Sequence, residues 1–297
     1  MSFEVSKMKI PKCPKGCDRV ALFADLHCGH RAGLTPPQWH QRIDDEEAWP
    51  EFLSDSIRQK FINTQINTWR WFKEKIRQLG PVRLAILVGD AIDGKGKRSG
   101  GQEQITPEFS IQATMAIKAL SIVKTRGWCF VFGTPYHTGR SSHGEMKIAQ
   151  WFADKLGPGH VSIGAHEWPE VEGIVFDVKH KVGGSTIPHG RMTAPMKEDL
   201  WNMVWHAMGG QPRADILVRA HVHYYNALRR VIKGRRKLIV TMPALQSLGT
   251  NYGGEQCSGT VDYGFCYVDI PKQGKGQPRW EEVIMDMKEK RAETTMF

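Results

Sequence analysis

Apolar residues in this chain gather into short runs, each closed by a sharp polar exit. Arg19 to Ala24 (RVALFA) ends at Asp25, Val82 to Val88 (VRLAILV) ends at Gly89-Asp90, and Trp128 to Phe132 (WCFVF) ends at Gly133. Runs of this length bounded by turn residues predict buried strands. Between the first two, Ile57, Phe61, Ile66, Trp69, Phe72, Ile76 and Leu79 recur at helical spacing, which predicts a helix over Ser56 to Leu79 that Gly80 and Pro81 stop. Thr106-Pro107-Glu108 reads as an N-cap followed by Pro at the first helical position, opening a helix to about Thr125. A further helix is expected over roughly Gly144 to Leu156.

Strand and helix alternate through this half, the pattern of parallel βαβ units. The second half carries strands at Ile174 to Lys181, Asp215 to Ala220, Tyr225 to Ile232, Lys237 to Thr241 and Phe265 to Ile270, interrupted by one long helix near Ala194 to Met208. The expected fold class is α/β: two sheets packed face to face as a β-sandwich flanked by helices. No linker is evident, so residues 1–297 read as a single domain with insertions at about 31–55 and 95–105.

Composition changes this picture little. Hydrophobic residues make up 40% and charged residues 24% of 297, ordinary for a globular chain. No apolar run approaches the ~20 residues that span a bilayer, and the N-terminus lacks the apolar core of a signal peptide. The expectation is a cytoplasmic protein with no membrane partner. Six cysteines are too few for a disulfide scaffold of this size, and Cys13 and Cys17 (C-x3-C) have no second pair with which to build a zinc clip, so they read as reduced thiols. The net charge of +10 does matter, because lysine and arginine neutralise phosphates and release counterions.

The chemistry lies in where His and Asp fall. Asp25 and His27 follow the first strand, Asp90 the second and His137 the third; His180 ends a later strand, and His221 and His223 follow another. The C-terminal ends of strands in an α/β sheet converge on one crevice. A lone His at a strand end is more often a satisfied polar residue than a ligand, but five strand exits with ligand-type side chains are hard to reconcile with accident. Carboxylate oxygen mixed with imidazole nitrogen and no thiolate suits manganese first, with iron or zinc as alternatives. So many ligands exceed what one tetrahedral ion takes, and fit two divalent ions sharing a carboxylate, the arrangement that clamps both oxygens of an in-line phosphoryl displacement.

Asp25-x-His27, Gly89-Asp90-x-x-Asp93-Gly94, Gly133-x-x-x-His137, His180 and His221-x-His223 stand in the order of the calcineurin-like metallophosphoesterase family, which the chain resembles from roughly Val20 to Val231. The resemblance implies a β-sandwich flanked by helices, a first metal on Asp25, His27 and His223, a bridging Asp90, and a second metal on His180 and His221. It implies hydrolysis of a phosphoester by a metal-bridging hydroxide. One element departs from the family: its Gly-Asn-His is here Gly133-Thr134-Pro135-Tyr136-His137. His137 either replaces the asparagine as a ligand or keeps the family histidine's role as catalytic acid, the role favoured here. Asp93 is expected to order its turn rather than to bind metal.

Lys95, Lys97 and Arg98 follow the Asp90 loop and Arg140 follows His137, a set suited to binding substrate phosphate; Arg229, Arg230, Lys233, Arg235, Arg236 and Lys237 form a basic hairpin that either binds phosphate or keeps an edge soluble. With the net charge, these favour a nucleic-acid phosphodiester, that is, a nuclease. A protein or small-molecule phosphatase is the near alternative, and a non-catalytic interaction scaffold on the same fold is the alternative of another class. Metallohydrolases built on H-x-H-x-D-H fit poorly, since Tyr224 and Tyr225 follow His223. Oligomeric state is not legible.

Overall fold

The computed structural model describes residues 9–51, 53–97, 99–139, 143–232, 234–247, 261–274 and 276–286. Its strands are β1 (Cys17–Phe23), β2 (Leu84–Val88), β3 (Trp128–Val131), β4 (Val161–Gly164), β5 (Glu170–Val171), β6 (Ile174–Lys181), β7 (Ile216–Ala220), β8 (Asn226–Ile232), β9 (Arg235–Thr241), β10 (Gly264–Pro271) and β11 (Arg279–Ile284). Its helices are α1 (Asp55–Leu79), α2 (Phe109–Leu120), the single turn α3 (Pro135–Thr138), α4 (His143–Leu156) and α5 (Thr193–Ala207). They form a mixed α/β fold of two sheets, ordered β11-β10-β1-β2-β3-β4 and β5-β6-β7-β9-β8.

In the first sheet β1 to β4 run parallel, and β10 and β11 add antiparallel partners beyond β1. Alternate residues of these strands face opposite ways. Ala21, Phe23, Ala85, Leu87, Trp128 and Phe130 pack with Trp71 and Phe72 of α1, Met115 and Leu120 of α2 and Phe152 of α4. Val20, Leu22, Ile86, Val88, Cys129 and Val131 pack instead with Phe176, Val178, Ile216, Val218 and Val240 of the second sheet. Both faces are buried, which is why these strands read as continuous apolar runs.

The second sheet's other face carries a buried charged network beside apolar Leu217 and Ile239. Asp177 of β6, Arg219 of β7 and Lys237 of β9 are buried there beneath α5. Asn202 of α5 donates to Asp177 Oδ2 at 3.0 Å and accepts from Lys237 Nζ at 2.9 Å, while Asp199 takes Lys237 at 2.6 Å and also pairs with Arg230. Arg219 closes the network on Asp177 at 2.7 Å.

The structure shortens one predicted helix: α2 begins at Phe109, not at Pro107, and ends at Leu120. Thr106 does not cap it; its hydroxyl accepts the Glu108 N–H at 3.2 Å, one turn outside the helix. Strands β4, β5 and β11 were not expected from the apolar pattern. Among the described residues no helix is long and apolar enough to cross a membrane.

Candidate metal centre

The exits of β1 and β2 stay tied together past the strand ends: Asp25 N–H donates to Gly89 O, His27 N–H to Asp90 O and Cys28 N–H to Ala91 O. The chain then turns sharply. Asp25, His27, Asp90, His221 and His223 all have φ between 45 and 75°, a region that non-glycine residues enter at a cost of order 1–3 kcal/mol. They are five of the seven described non-glycine residues with positive φ. Backbone strain is thus concentrated where ligand-type side chains are presented. Gly89, at φ 77°, lies against the His180 ring and Gly133 against the Asp90 carboxylate, so neither position has room for a Cβ.

Three groups of donor atoms result, each within 4.8 Å of one another: Asp25, His27 and His223; Asp90, His180 and His221; and His27, Asp90 and His137. The third shares His27 with the first and Asp90 with the second, so the seven residues form one continuous cluster. They line or lie beneath a single cavity of about 600 Å³.

The histidines are aimed by their second nitrogens. His27 Nδ1 lies 2.8 Å from Asp93 Oδ1, His180 Nδ1 2.6 Å from Val88 O and His137 Nδ1 2.7 Å from Asp93 O, leaving each Nε2 for the cavity. Metal-binding histidines are oriented in this way. Asp93 takes part as a holder, with Gln104 donating to its other oxygen. Thr134 donates its N–H to Asp90 Oδ1 at 2.7 Å.

Asp25 Oδ1, His27 Nε2 and His180 Nε2 are buried without a hydrogen bond, although His180 Nε2 approaches Asp90 Oδ2 to 3.0 Å and His223 Nε2 approaches Asp25 Oδ1 to 3.2 Å. Buried polar atoms are normally satisfied, and leaving one unmade costs about 1–3 kcal/mol. Imidazole nitrogens and carboxylate oxygens that converge on one point are what divalent cations require, so the residues present fit a metal centre.

The electrostatics agree. Burial alone would raise the pKa of Asp25 and Asp90, but the neighbouring histidines hold both carboxyls well below the usual range. Burial would lower His27 and His180, yet the carboxylates outweigh it and push His27 up to about 10 and His180 up to about 9. Those protons balance the carboxylates when no cation does, and a metal would displace them. His221 is pushed down to about 4 by burial and by His180, a neutral imidazole suited to ligation.

The predicted phosphate-binding residues are placed less centrally. Lys95 and Lys97 are exposed on the loop whose Gly96 and Ser99 line the cavity, and Arg98 and Arg140 lie outside the described residues. In the basic hairpin Arg230 and Lys237 bind Asp199, and Arg235 binds Asp215 at 2.7 Å; these hold the fold, while Lys233 lies outside the described residues. The cavity is lined instead by Lys179 and Lys181, which flank His180, and by His30, Tyr136 and Gln246. Beneath it Glu145 of α4 accepts the N–H groups of Ala91 and Gly133. Lys179 and Lys181 could have been found in VKHK, next to a predicted ligand; nothing in the sequence around Glu145 signals its role. Cys13 and Cys17 are unpaired and belong to no ligand group among the described residues.

No family model and no curated protein matches the chain. Among solved structures it is similar to a single mutant of Vps29 from Entamoeba histolytica, at 13% identity and TM-score 0.41, over 90% of this chain and 99% of that one. Wild-type Vps29 of the same organism, complexed with zinc, gives 13% identity and TM-score 0.38 over 90% and 98%. The sulfate thiohydrolase SoxB of Thermus thermophilus gives 12% and 0.37, over 93% of this chain and 58% of that one.

Proposed function

We propose that this chain is a dinuclear metal-dependent phosphoesterase of the calcineurin-like kind, acting on phosphodiesters of nucleic acid, with the whole chain forming one domain around the centre. The observation that carries it is the run of three linked donor groups in one cavity, with Asp25 Oδ1, His27 Nε2 and His180 Nε2 buried and unsatisfied.

Asp25, His27 and His223 would hold one ion, His180 and His221 the other, and Asp90 would be shared. Manganese is the favoured ion, and iron or zinc would also suit the donor set. Bound divalent metals supply Lewis acidity to the phosphoryl oxygens and lower the pKa of coordinated water. The chain's own residues do the rest. Asp93 and the Val88 carbonyl fix the rings of His27 and His180, and Thr134 fixes the Asp90 carboxylate. Lys179 and Lys181 receive the substrate's anionic oxygens at the cavity wall. His137, held by the Asp93 carbonyl with Nε2 free, delivers a proton to the leaving oxygen.

Elemental analysis of protein reconstituted with manganese, together with turnover on single- and double-stranded DNA, RNA and bis(p-nitrophenyl) phosphate, tests the proposal. Two equivalents of metal and cleavage of a polynucleotide are expected. Saturation at one equivalent would remove the dinuclear centre. Full metal loading without turnover of any ester would leave the scaffold reading in its place, and cleavage of small esters alone would move the substrate to the phosphatase class.

A further inference from the structure

Helix α5 has its polar side turned in and its apolar side turned out. Its buried residues are Pro195, Asp199 and Asn202, the last two engaged with Asp177, Lys237 and Arg230 of the second sheet. On the opposite side Leu200 is 54% exposed, Trp201 48%, Val204 37%, Trp205 48% and, at the helix end, Met208 69%. Their spacing, 200/201, 204/205 and 208, is that of a helix-packing stripe. A helix ordinarily buries such a stripe; here the charged outer face of the sheet has taken the polar side of α5, and among the described residues the stripe remains open.

We propose that this stripe joins two copies of the chain, with the α5 helices packed antiparallel across a two-fold axis. The spacing is self-complementary. An axis passing between residues 202 and 203 sets Trp201 against the partner's Val204 and Leu200 against the partner's Trp205, large against small in both pairs. The same axis carries Lys197, the basic residue one turn before the stripe, to the C-terminal turn of the partner helix. The negative end of the helix dipole there attracts a cation. Large side chains present on the order of 150–250 Å² when fully exposed, so at these exposures the five offer roughly 500 Å² per copy. Two copies together cover about 1,000 Å², the lower bound for a specific interface, which points to association in the micromolar range. A membrane surface fits less well: helices that lie on anionic lipid keep a basic polar face towards the headgroups, and the polar face of α5 is turned into the protein.

Sedimentation velocity on the full chain, from low to high micromolar, should show a monomer–dimer equilibrium. Trp201→Glu should raise its dissociation constant by ~100-fold or more, the size of loss seen at interface hot spots. Lys197→Glu should raise it by a smaller ~3–10-fold, because it reverses the charge beside the partner helix's C-terminal end. Under copper-phenanthroline oxidation, Val204→Cys should give a disulfide-linked dimer that neither the wild type nor Ile57→Cys gives. These side chains are exposed, so thermal melting should hardly change; if Trp201→Glu did unfold, Lys197→Glu and the cross-link would decide. A wild type that stays monomeric throughout would overturn the proposal. So would a dimer untouched by Trp201→Glu and Lys197→Glu, or a stripe that binds only vesicles containing phosphatidylglycerol.

Discussion

Asp90 meets more demands than any other side chain of the centre. One oxygen accepts the Thr134 N–H at 2.7 Å, the other lies 3.0 Å from His180 Nε2, and both donor groups that contain it would compete for the same carboxylate. In the proposed centre, removing it would strip both ions of a ligand. Asp90→Ala should therefore abolish turnover and reduce bound metal from two equivalents, measured by elemental analysis beside kcat. Asp93 lines the cavity and holds the rings of His27 and His137. Asp93→Asn should keep both ions at saturating metal but weaken affinity by ~10–100-fold, the usual cost of losing an outer hydrogen-bond partner. If the two variants behave alike, the division between ligand and holder is wrong. His137 separates by the same pair of readouts. As a proton donor, its loss lowers kcat by ~10²–10⁴-fold with metal content unchanged. Depletion of one metal in His137→Ala would make it a ligand instead.

Among the elements, α4 does something that its amphipathic pattern does not announce: Glu145 reaches under the centre and holds the exits of β2 and β3 through Ala91 and Gly133. Burial and the charge of Asp90 push this carboxyl up to about 7. Its stabilising contribution in the metal-free protein is fully present below the ordinary carboxyl value of 4.5 and is lost as pH rises through about 7, a change of roughly 3 kcal/mol. His221, pushed down to about 4, works in the opposite sense between pH 4 and 6.5, so the wild-type profile alone is nearly flat there. The difference in denaturant midpoint between wild type and Glu145→Gln should instead slope across pH 4.5 to 7; a constant offset would show that Glu145 is ionised throughout.

The same elements show what the chain discloses in its primary structure and what it withholds. Strands β2 and β3, and β1 from Val20 onward, were legible because burial on both faces makes them apolar, and the ligand-type residues because each stands at or just past the end of a strand. Strand β4 is half-exposed and β11 alternates Trp280 and Val283 with charges, so neither forms an apolar run. The stripe on α5 has ordinary helical periodicity; that it faces outward follows only from the charges Asp177, Arg219 and Lys237, which lie on three strands far apart in sequence. Glu145, Thr134 and Lys181 likewise gain their meaning from what the fold brings beside them.

For the molecule as a whole, 41 basic against 31 acidic residues leave +10, and the position of that charge decides what it can bind. Some of the basic residues are held internally: Arg19 pairs with Asp269, Arg219 with Asp177, and Arg230 and Lys237 with Asp199. Lys181 stands at the cavity, as does Lys179, which also faces Glu198 at 3.7 Å, and Lys95 and Lys97 lie on the exposed loop beside it. If a polynucleotide runs from the cavity across that loop, log KM for single-stranded DNA should rise steeply with log salt, each neutralised phosphate contributing ~0.7 to the slope. Replacing Lys95 and Lys97 together by Ala should lower that slope by about one to two and raise KM for DNA. Turnover of bis(p-nitrophenyl) phosphate should stay as it was, because the metal centre is untouched. Lys179→Ala with Lys181→Ala should affect both substrates, since these two stand at the cavity wall where any phosphoester must enter. A slope indifferent to both pairs would detach the net charge from substrate binding, leaving the centre to act on small esters.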